Sequence, residues 1–156
     1  MKINQYGINI IKRFEGLRLE AYKCPAGYLT IGYGHLVRKG EPHTITKAKA
    51  EQYFESDLKT MSRGVIGLIA SPTDDNRFSA LVSFAFNLGV TALQESTLMR
   101  MHNTGNYTGA SKQFDRWVKA RVGGELIPLD GLVLRRNAEE ALYNGNLKEL
   151  ERLIGA

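Results

Sequence analysis

The strongest constraint on the fold lies at Glu15-Gly16, where the spacing of apolar residues changes period. Upstream, Ile3, Ile8, Ile11 and Phe14 follow a helical spacing that predicts an amphipathic helix over about residues 4–15, with Lys12 and Arg13 turned outward. Gly is favoured just past a helix end, so Glu15 is expected in the last turn. Downstream, Leu19 and Ala21 alternate with Arg18 and Glu20, as in a strand covered on one face. A turn at Pro25-Ala26-Gly27 and a second extended run from Tyr28 to Tyr33 complete a β-hairpin. Folding that hairpin back over the helix end brings Cys24 and Thr30 near the Glu15 carboxylate. A carboxylate there faces the negative pole of the helix dipole, which disfavours its charged form. Partial burial acts in the same direction, and a carboxyl that keeps its proton near neutrality can act as a general acid.

The rest of the chain reads as helices. Thr46 is a candidate N-cap. From it Tyr53, Phe54, Leu58, Met61, Val65, Leu68 and Ile69 mark a helix of about 22 residues, weakened or bent at its far end by Gly64 and Gly67. Phe78, Leu81, Val82, Ala85 and Phe86 form a wide apolar stripe suited to a central buried helix, which ends at Asn87-Leu88-Gly89. Further helices are expected at about 95–103, 107–121 and 131–144. A last one is expected from Asn146, where Glu149 sits at capping-box spacing. The expected fold class is α+β, mainly helical, with one small sheet confined near the N-terminus.

Length and composition narrow the partners. A chain of 156 residues with 43% hydrophobic residues is sized for one domain or two small lobes sharing a core. The N-terminus lacks the apolar core of a signal peptide, and no apolar run is long enough to cross a membrane, so no membrane insertion is expected. The single Cys cannot form an intramolecular disulfide and suits a reducing cytoplasm. A net charge of +5 favours an anionic partner, either nucleic acid or the bacterial envelope. The basic residues are scattered, with Arg135 and Arg136 among them, and no nucleic-acid-binding motif accompanies them.

The stretch Glu15, eight residues, Cys24, five residues, Thr30, then Ile31-Gly32-Tyr33-Gly34-His35 resembles the catalytic region of the phage-type lysozymes, the endolysin muramidases. In that family the middle position is Asp or, less commonly, Cys. Phe84-Ala85-Phe86-Asn87-Leu88-Gly89, Phe114-Asp115-Arg116-Trp117-Val118 and Gly131-Leu132-Val133-Leu134-Arg135-Arg136 with Glu139-Glu140 are also similar to family landmarks, so the resemblance covers nearly the whole chain. It implies a single lysozyme-like domain over residues 1–156 with two lobes. The N-terminal lobe would span about 14–58, and the helical C-terminal lobe about 59–156 plus the first helix, with a long helix joining them. It implies cleavage of the β-1,4 bond between N-acetylmuramic acid and N-acetylglucosamine in peptidoglycan glycan strands. Glu15 would be the acid, Cys24 and Thr30 would hold or activate water, and Leu36, Phe86 and Asn87 would contact substrate. No cofactor, no metal and no nucleic acid is expected. The protein would act as a monomer, gathering in the host cytoplasm until a holin opens the membrane.

Read without the resemblance, several of these residues keep ordinary roles. Phe86 and Met99 are core candidates, and Asn87 either caps its helix or binds an acetamido group. A free thiol titrates near 8.5, so only about 3% is thiolate at pH 7 unless its surroundings lower that value. A Cys24–His35 dyad would instead define a thiol-dependent amidase or peptidase. A lytic transglycosylase would use an acid at the same glycosidic bond but leave an anhydro-sugar end. A non-catalytic wall-binding or nucleic-acid-binding module is a further alternative. Cys24 with His35, His43 and His102 matches no zinc-ligand spacing, and His35 fits better as a structural histidine paired with a carboxylate.

Overall fold

A computed structural model describes residues 1–24 and 27–155. The chain divides into two compact units, Lys12–Thr60 and a larger one made of Met1–Ile11 with Met61–Ala156. Both α1 (Gln5–Glu15) and α2 (Lys47–Ile66) run across the division.

In the smaller unit α1 ends at Glu15, and the Gly16 N–H donates to the Lys12 carbonyl at 2.9 Å. Strands β1 (Arg18–Lys23), β2 (Leu29–Gly32) and β3 (His35–Leu36) form an antiparallel sheet in the order β1-β2-β3. Pro25 and Ala26 of the expected turn lie outside the described residues. The third strand extends the expected hairpin: the chain reverses through Gly32-Tyr33-Gly34, where Gly32 and Gly34 take φ of +65° and +74°. Such values are costly for a residue with a Cβ. Thr46 caps α2 as its sequence position suggests, its Oγ1 accepting from the Lys49 N–H at 3.1 Å.

The larger unit is built on α3 (Asp75–Leu88), in which every residue from Phe78 to Ala85 is buried. Its first turn is capped by Asp74, which accepts from the Arg77 N–H at 2.8 Å. Helix α3 packs on α7 (Asp130–Tyr143). Helix α2 runs through Gly64 and ends at Ile66, just before Gly67; a Cβ at position 64 would stand 2.8 Å from a Val90 methyl, so its absence admits that neighbour. The helix expected at about 95–103 is α5 (Thr97–Asn103), preceded by a short helix that was not expected, α4 (Val90–Glu95). They part at Ser96, whose hydroxyl accepts from the Met99 N–H at 3.0 Å. The last helix, α8 (Leu147–Ile154), starts at Asn146, which accepts from the Glu149 N–H at 3.2 Å.

One expected helix is wrong over half its length. Instead of 107–121, α6 covers Tyr107–Gln113, a 3-10 turn covers Phe114–Arg116, and strands β4 (Lys119–Val122) and β5 (Glu125–Pro128) form a second sheet. Gly123 and Gly124 take φ of +60° and +88° and join strands in which Val122 pairs with Glu125, a two-residue hairpin turn. The apolar positions Phe114 and Trp117, read as a helical stripe, instead place two rings edge-on to Phe84, at 5.9 and 5.3 Å between centroids. The sheet content is therefore not confined to the N-terminal region.

Candidate active site

Glu15 is the last residue of α1 and is partly buried. Its carboxylate lies against the main chain of Gly34. A Cβ at position 34 would stand 3.1 Å from Glu15 Oε1 and 3.2 Å from Cδ, closer than side chains normally pack. Position 34 therefore excludes a side chain twice, through its positive φ and through the carboxylate it faces.

The sheet supplies the neighbouring groups. Thr30 in β2 is paired with Tyr22 on one side and Leu36 on the other, so strand alternation puts all three on one face. The ladder continues past β1 through the Cys24 N–H, which donates to the Tyr28 carbonyl at 2.9 Å, and the period of two carries Cys24 to that face. The Thr30 hydroxyl donates to the same carbonyl at 3.2 Å. Its proton is thereby committed, and the lone pairs of Oγ1 remain able to accept from a water. Thr30 is 4% exposed and Leu36 56% exposed, with Cys24 between them in burial. The structure thus brings Cys24, Thr30 and Leu36 together and seats Glu15 against the turn that joins β2 to β3.

His35 is held as a structural histidine. Its Nδ1 lies 2.7 Å from Asp57 Oδ2, its Nε2 lies 3.1 Å from Glu41 Oε1, and its ring stacks on Tyr53 at 4.0 Å. With both ring nitrogens facing carboxylates, neither remains to activate the Cys24 thiol. The Arg38 N–H bond to Glu41 holds that carboxyl below its usual range, assisted by His35 and opposed by partial burial. Burial, then the charge of Glu41, pushes the Tyr53 phenol up.

The other two anticipated contact residues belong to the larger unit. Phe86 is partly buried, outside the core position its apolar spacing predicts, because the fully buried run of α3 stops at Ala85. Met99 is core. Asn87 does not cap α3; Gly89 does, its N–H donating to the Ala85 carbonyl at 2.7 Å. The Asn87 side chain meets Arg136 Nη2. A guanidinium has no acceptor, so the amide oxygen faces it and the NH2 group points away.

Arg136 belongs to a buried cluster that charge counting misplaces. Arg135 and Arg136 are 2% and 0% exposed, so they are not part of a basic surface. Glu139, also 0% exposed, pairs with Arg136 at 3.1 Å and with Arg135 at 3.2 Å, and accepts from the Ser83 hydroxyl at 2.5 Å. The signal available in the sequence was Glu139 itself, three and four residues beyond the two arginines on one helix. Lys12 keeps its side chain 30% exposed and also binds both oxygens of Glu51 at 2.8 and 3.0 Å and lies over the Tyr33 ring, contacts its spacing did not indicate.

His102 is 0% exposed, with Nδ1 2.6 Å from the Tyr143 hydroxyl and Nε2 2.8 Å from Thr73 Oγ1. Thr73 gives its own proton to the Ser71 carbonyl at 2.9 Å, so Nε2 carries the imidazole proton and Nδ1 accepts from Tyr143. Among the described residues no group of three or more His, Cys, Asp or Glu side chains is placed to hold a metal ion.

A helical body, a small sheet beside a helix-terminal glutamate and a buried central helix define the lysozyme-like fold. Residues 12–139 match the family described as phage lysozyme, and the chain belongs to that family. It is 43% identical over 143 residues to the endolysin of Acyrthosiphon pisum secondary endosymbiont phage 1, covering 92% of this chain and 98% of that one. It is 42% identical to the endolysin of Bacillus phage B103, covering 97% of this chain but only 58% of that longer protein. Among solved structures, the endolysin from Escherichia coli O157:H7 phage FAHEc1 superposes with a TM-score of 0.82 at 41% identity, covering 92% of this chain and 93% of that chain. The muramidase domain of SpmX from Asticaccaulis excentricus gives 0.83 at 37% identity, covering 91% and 97%.

Proposed function

We infer that this protein is a glycoside hydrolase of the endolysin type, cleaving the β-1,4 bond between N-acetylmuramic acid and N-acetylglucosamine in peptidoglycan. The observation that carries the reading is the Glu15 carboxyl at the C-terminal end of α1, packed on Gly34 within the stretch that matches the phage lysozyme family. Glycosidic cleavage needs a proton delivered to the leaving oxygen and a second group to manage water or the anomeric carbon. Glu15 is the proton donor. Thr30 and Cys24, which share the Tyr28 carbonyl, hold or activate the attacking water, and the reaction inverts the anomeric centre. Leu36 offers an exposed apolar contact to a sugar ring, Phe86 a partly buried one, and Asn87 an amide N–H to an acetamido carbonyl. No cofactor enters this scheme.

Glu15→Gln keeps the shape and removes the titrating proton. Lysis of purified peptidoglycan by the folded variant is expected to fall by about two orders of magnitude or more. Near-normal lysis would remove Glu15 from the mechanism. Asp manages water with an ionised oxygen, so Cys24→Asp is expected to keep substantial activity while Cys24→Ala loses much more. A covalent adduct trapped on Cys24, with retention at the anomeric carbon, would make the thiolate the nucleophile instead. The reading also takes the protein to be a monomer that waits in the host cytoplasm until a holin opens the membrane. Expression without a holin then leaves cells intact until they are permeabilised, and lysis without permeabilisation contradicts it.

A further inference from the structure

The Glu15 carboxylate packs on Gly34, and both partners of that contact are tied to one residue of α2. Three residues before Glu15 on α1, Lys12 binds the two oxygens of Glu51 at 2.8 and 3.0 Å. One residue before Gly34, the Tyr33 hydroxyl donates to Glu51 Oε1 at 3.2 Å. The Lys12 ammonium also lies 4.9 Å from the centre of the Tyr33 ring and 5.1 Å from that of Phe54, and those two rings meet edge-on at 5.5 Å. On the other side of Tyr33, a Cβ on Gly32 would stand 3.5 Å from the Ala50 Cβ, so the turn rests on α2 there as well. Tyr33 and Phe54 are 9% and 5% exposed, whereas the side chains of Lys12 and Glu51 are 30% and 42% exposed.

These contacts close a ring: Glu15 to Lys12 through one turn of α1, Lys12 to Glu51, Glu51 to Tyr33, and Tyr33 to Gly34, which returns to Glu15. We propose that Lys12, Glu51 and Tyr33 are positioning residues that fix the separation of the Glu15 carboxyl from the Gly32-Tyr33-Gly34 turn. Of the three residues of the turn only Tyr33 carries a side chain, and its ring packs on Phe54 while its hydroxyl reaches Glu51. The brace sets the height of the turn through that one side chain. Glu51 serves both arms, accepting from the helix through Lys12 and from the turn through Tyr33. The Lys12 bonds hold its carboxyl below the usual range, so it stays an acceptor for both. Because the two charged members are partly solvated, their worth to overall stability is small. Their worth to a proton donor is larger, since catalysis is sensitive to displacements of about 1 Å.

The proposal rests on Glu15 being the acid, and the experiment separates the two claims. Wild type, Glu15→Gln, Glu51→Gln, Lys12→Met, Lys12→Arg and Tyr33→Phe are compared on a defined peptidoglycan oligosaccharide, with melting temperature followed in parallel. Glu51→Gln and Lys12→Met are expected to lower kcat between about tenfold and a hundredfold, with KM within about twofold and melting within about 4 °C of wild type. Lys12→Arg, which can again bind both oxygens of Glu51, is expected to restore most of kcat. The double variant Lys12→Met with Glu51→Gln is expected to be no worse than the poorer of the two single ones, as for two parts of one brace. Unchanged kcat in Glu51→Gln and Lys12→Met, with Glu15→Gln inactive, overturns the brace and leaves the acid in place. Full activity in Glu15→Gln overturns the underlying reading instead. If Glu51→Gln fails to fold, Tyr33→Phe decides, since it removes only the hydroxyl. A wild-type kcat there, with Lys12→Arg no better than Lys12→Met, overturns the proposal.

Discussion

Helices α7 and α8 follow one another in the chain and each carries a Glu–Arg pair three residues apart. In α7 the pair is Arg136–Glu139 and both side chains are 0% exposed; in α8 it is Glu149–Arg152, and the side chains are 37% and 69% exposed. The residue types and the spacing are shared; the order is reversed, Arg before Glu in α7 and Glu before Arg in α8, and the surroundings differ far more. In α7 each charge needs a ring of partners: Ser83 and Arg135 on Glu139, Asn87 and the Phe84 face on Arg136. In α8 water can replace either partner. A helical ion pair therefore has no fixed worth; burial sets it, through the cost of leaving one charge uncompensated.

The largest expected effect follows from breaking the buried pair. Glu139→Gln leaves two guanidinium groups in the core with no carboxylate between them, and removing one partner of a buried pair costs about 3–5 kcal/mol. Urea unfolding of the variant should show that loss in the midpoint, with little change in slope. A loss below about 1 kcal/mol would mean the arginines find other acceptors, and burial would not be the deciding variable. Because Arg136 also meets Asn87, the same variant should disturb the end of α3 before it disturbs the sheet of the smaller unit.

The second effect concerns a buried group that carries no charge. Burial, reinforced by the nearby Arg77 charge and opposed by Asp74, lowers the His102 pKa from 6.5 to about 4. The folded state refuses a proton that the unfolded state accepts, so the contribution is complete above about pH 6.5 and is lost as pH falls toward 4. At 1.36 kcal/mol per unit, that loss is about 3 kcal/mol. His102→Gln should flatten the decline in stability between those two pH values relative to wild type, as read by denaturant titrations along the series. Parallel curves for the two proteins would show that His102 does not control the acid limb.

Much of this architecture was legible in the sequence where a single local rule decided it. The helix end at Glu15, the N-cap at Thr46 and the buried face of α3 follow from glycine, threonine and apolar spacing, each acting over one or two turns. The β4–β5 hairpin was missed because Phe114, Trp117 and Val118 imitate a helical stripe, while Gly123-Gly124 was the better signal. At the candidate site, the types and spacing of Glu15, Cys24 and Thr30 were visible, and so was the carboxylate-bound character of His35. What was not visible is how side chains distant in sequence share partners. Nothing local tells Lys12 to bind Glu51, and although the spacing of Glu139 offers Arg135 and Arg136 a partner, it does not say that all three lie inside. Tertiary packing decides those, and it turns apparent surface charge into core structure.

The smallest effect is the sharpest check on the comparison. Glu149 holds Arg152 through two hydrogen bonds, at 2.9 and 2.5 Å, better geometry on paper than the single 3.1 Å ion pair between Arg136 and Glu139. Contact length alone would therefore rank the α8 pair above the α7 pair. The solvation argument ranks them the other way, because water takes over each partner of the exposed pair when the other is removed, and salt screens what attraction remains. The Arg152 bond draws the Glu149 carboxyl below its usual range, yet a carboxylate in water remains comfortably charged without it. The Asn146 cap on the Glu149 N–H also persists whatever side chain stands at 149. Glu149→Gln should accordingly unfold at a urea midpoint indistinguishable from wild type, at both low and high salt. A destabilisation approaching that of Glu139→Gln would break the comparison and make geometry, not burial, the quantity that sets the worth of these pairs.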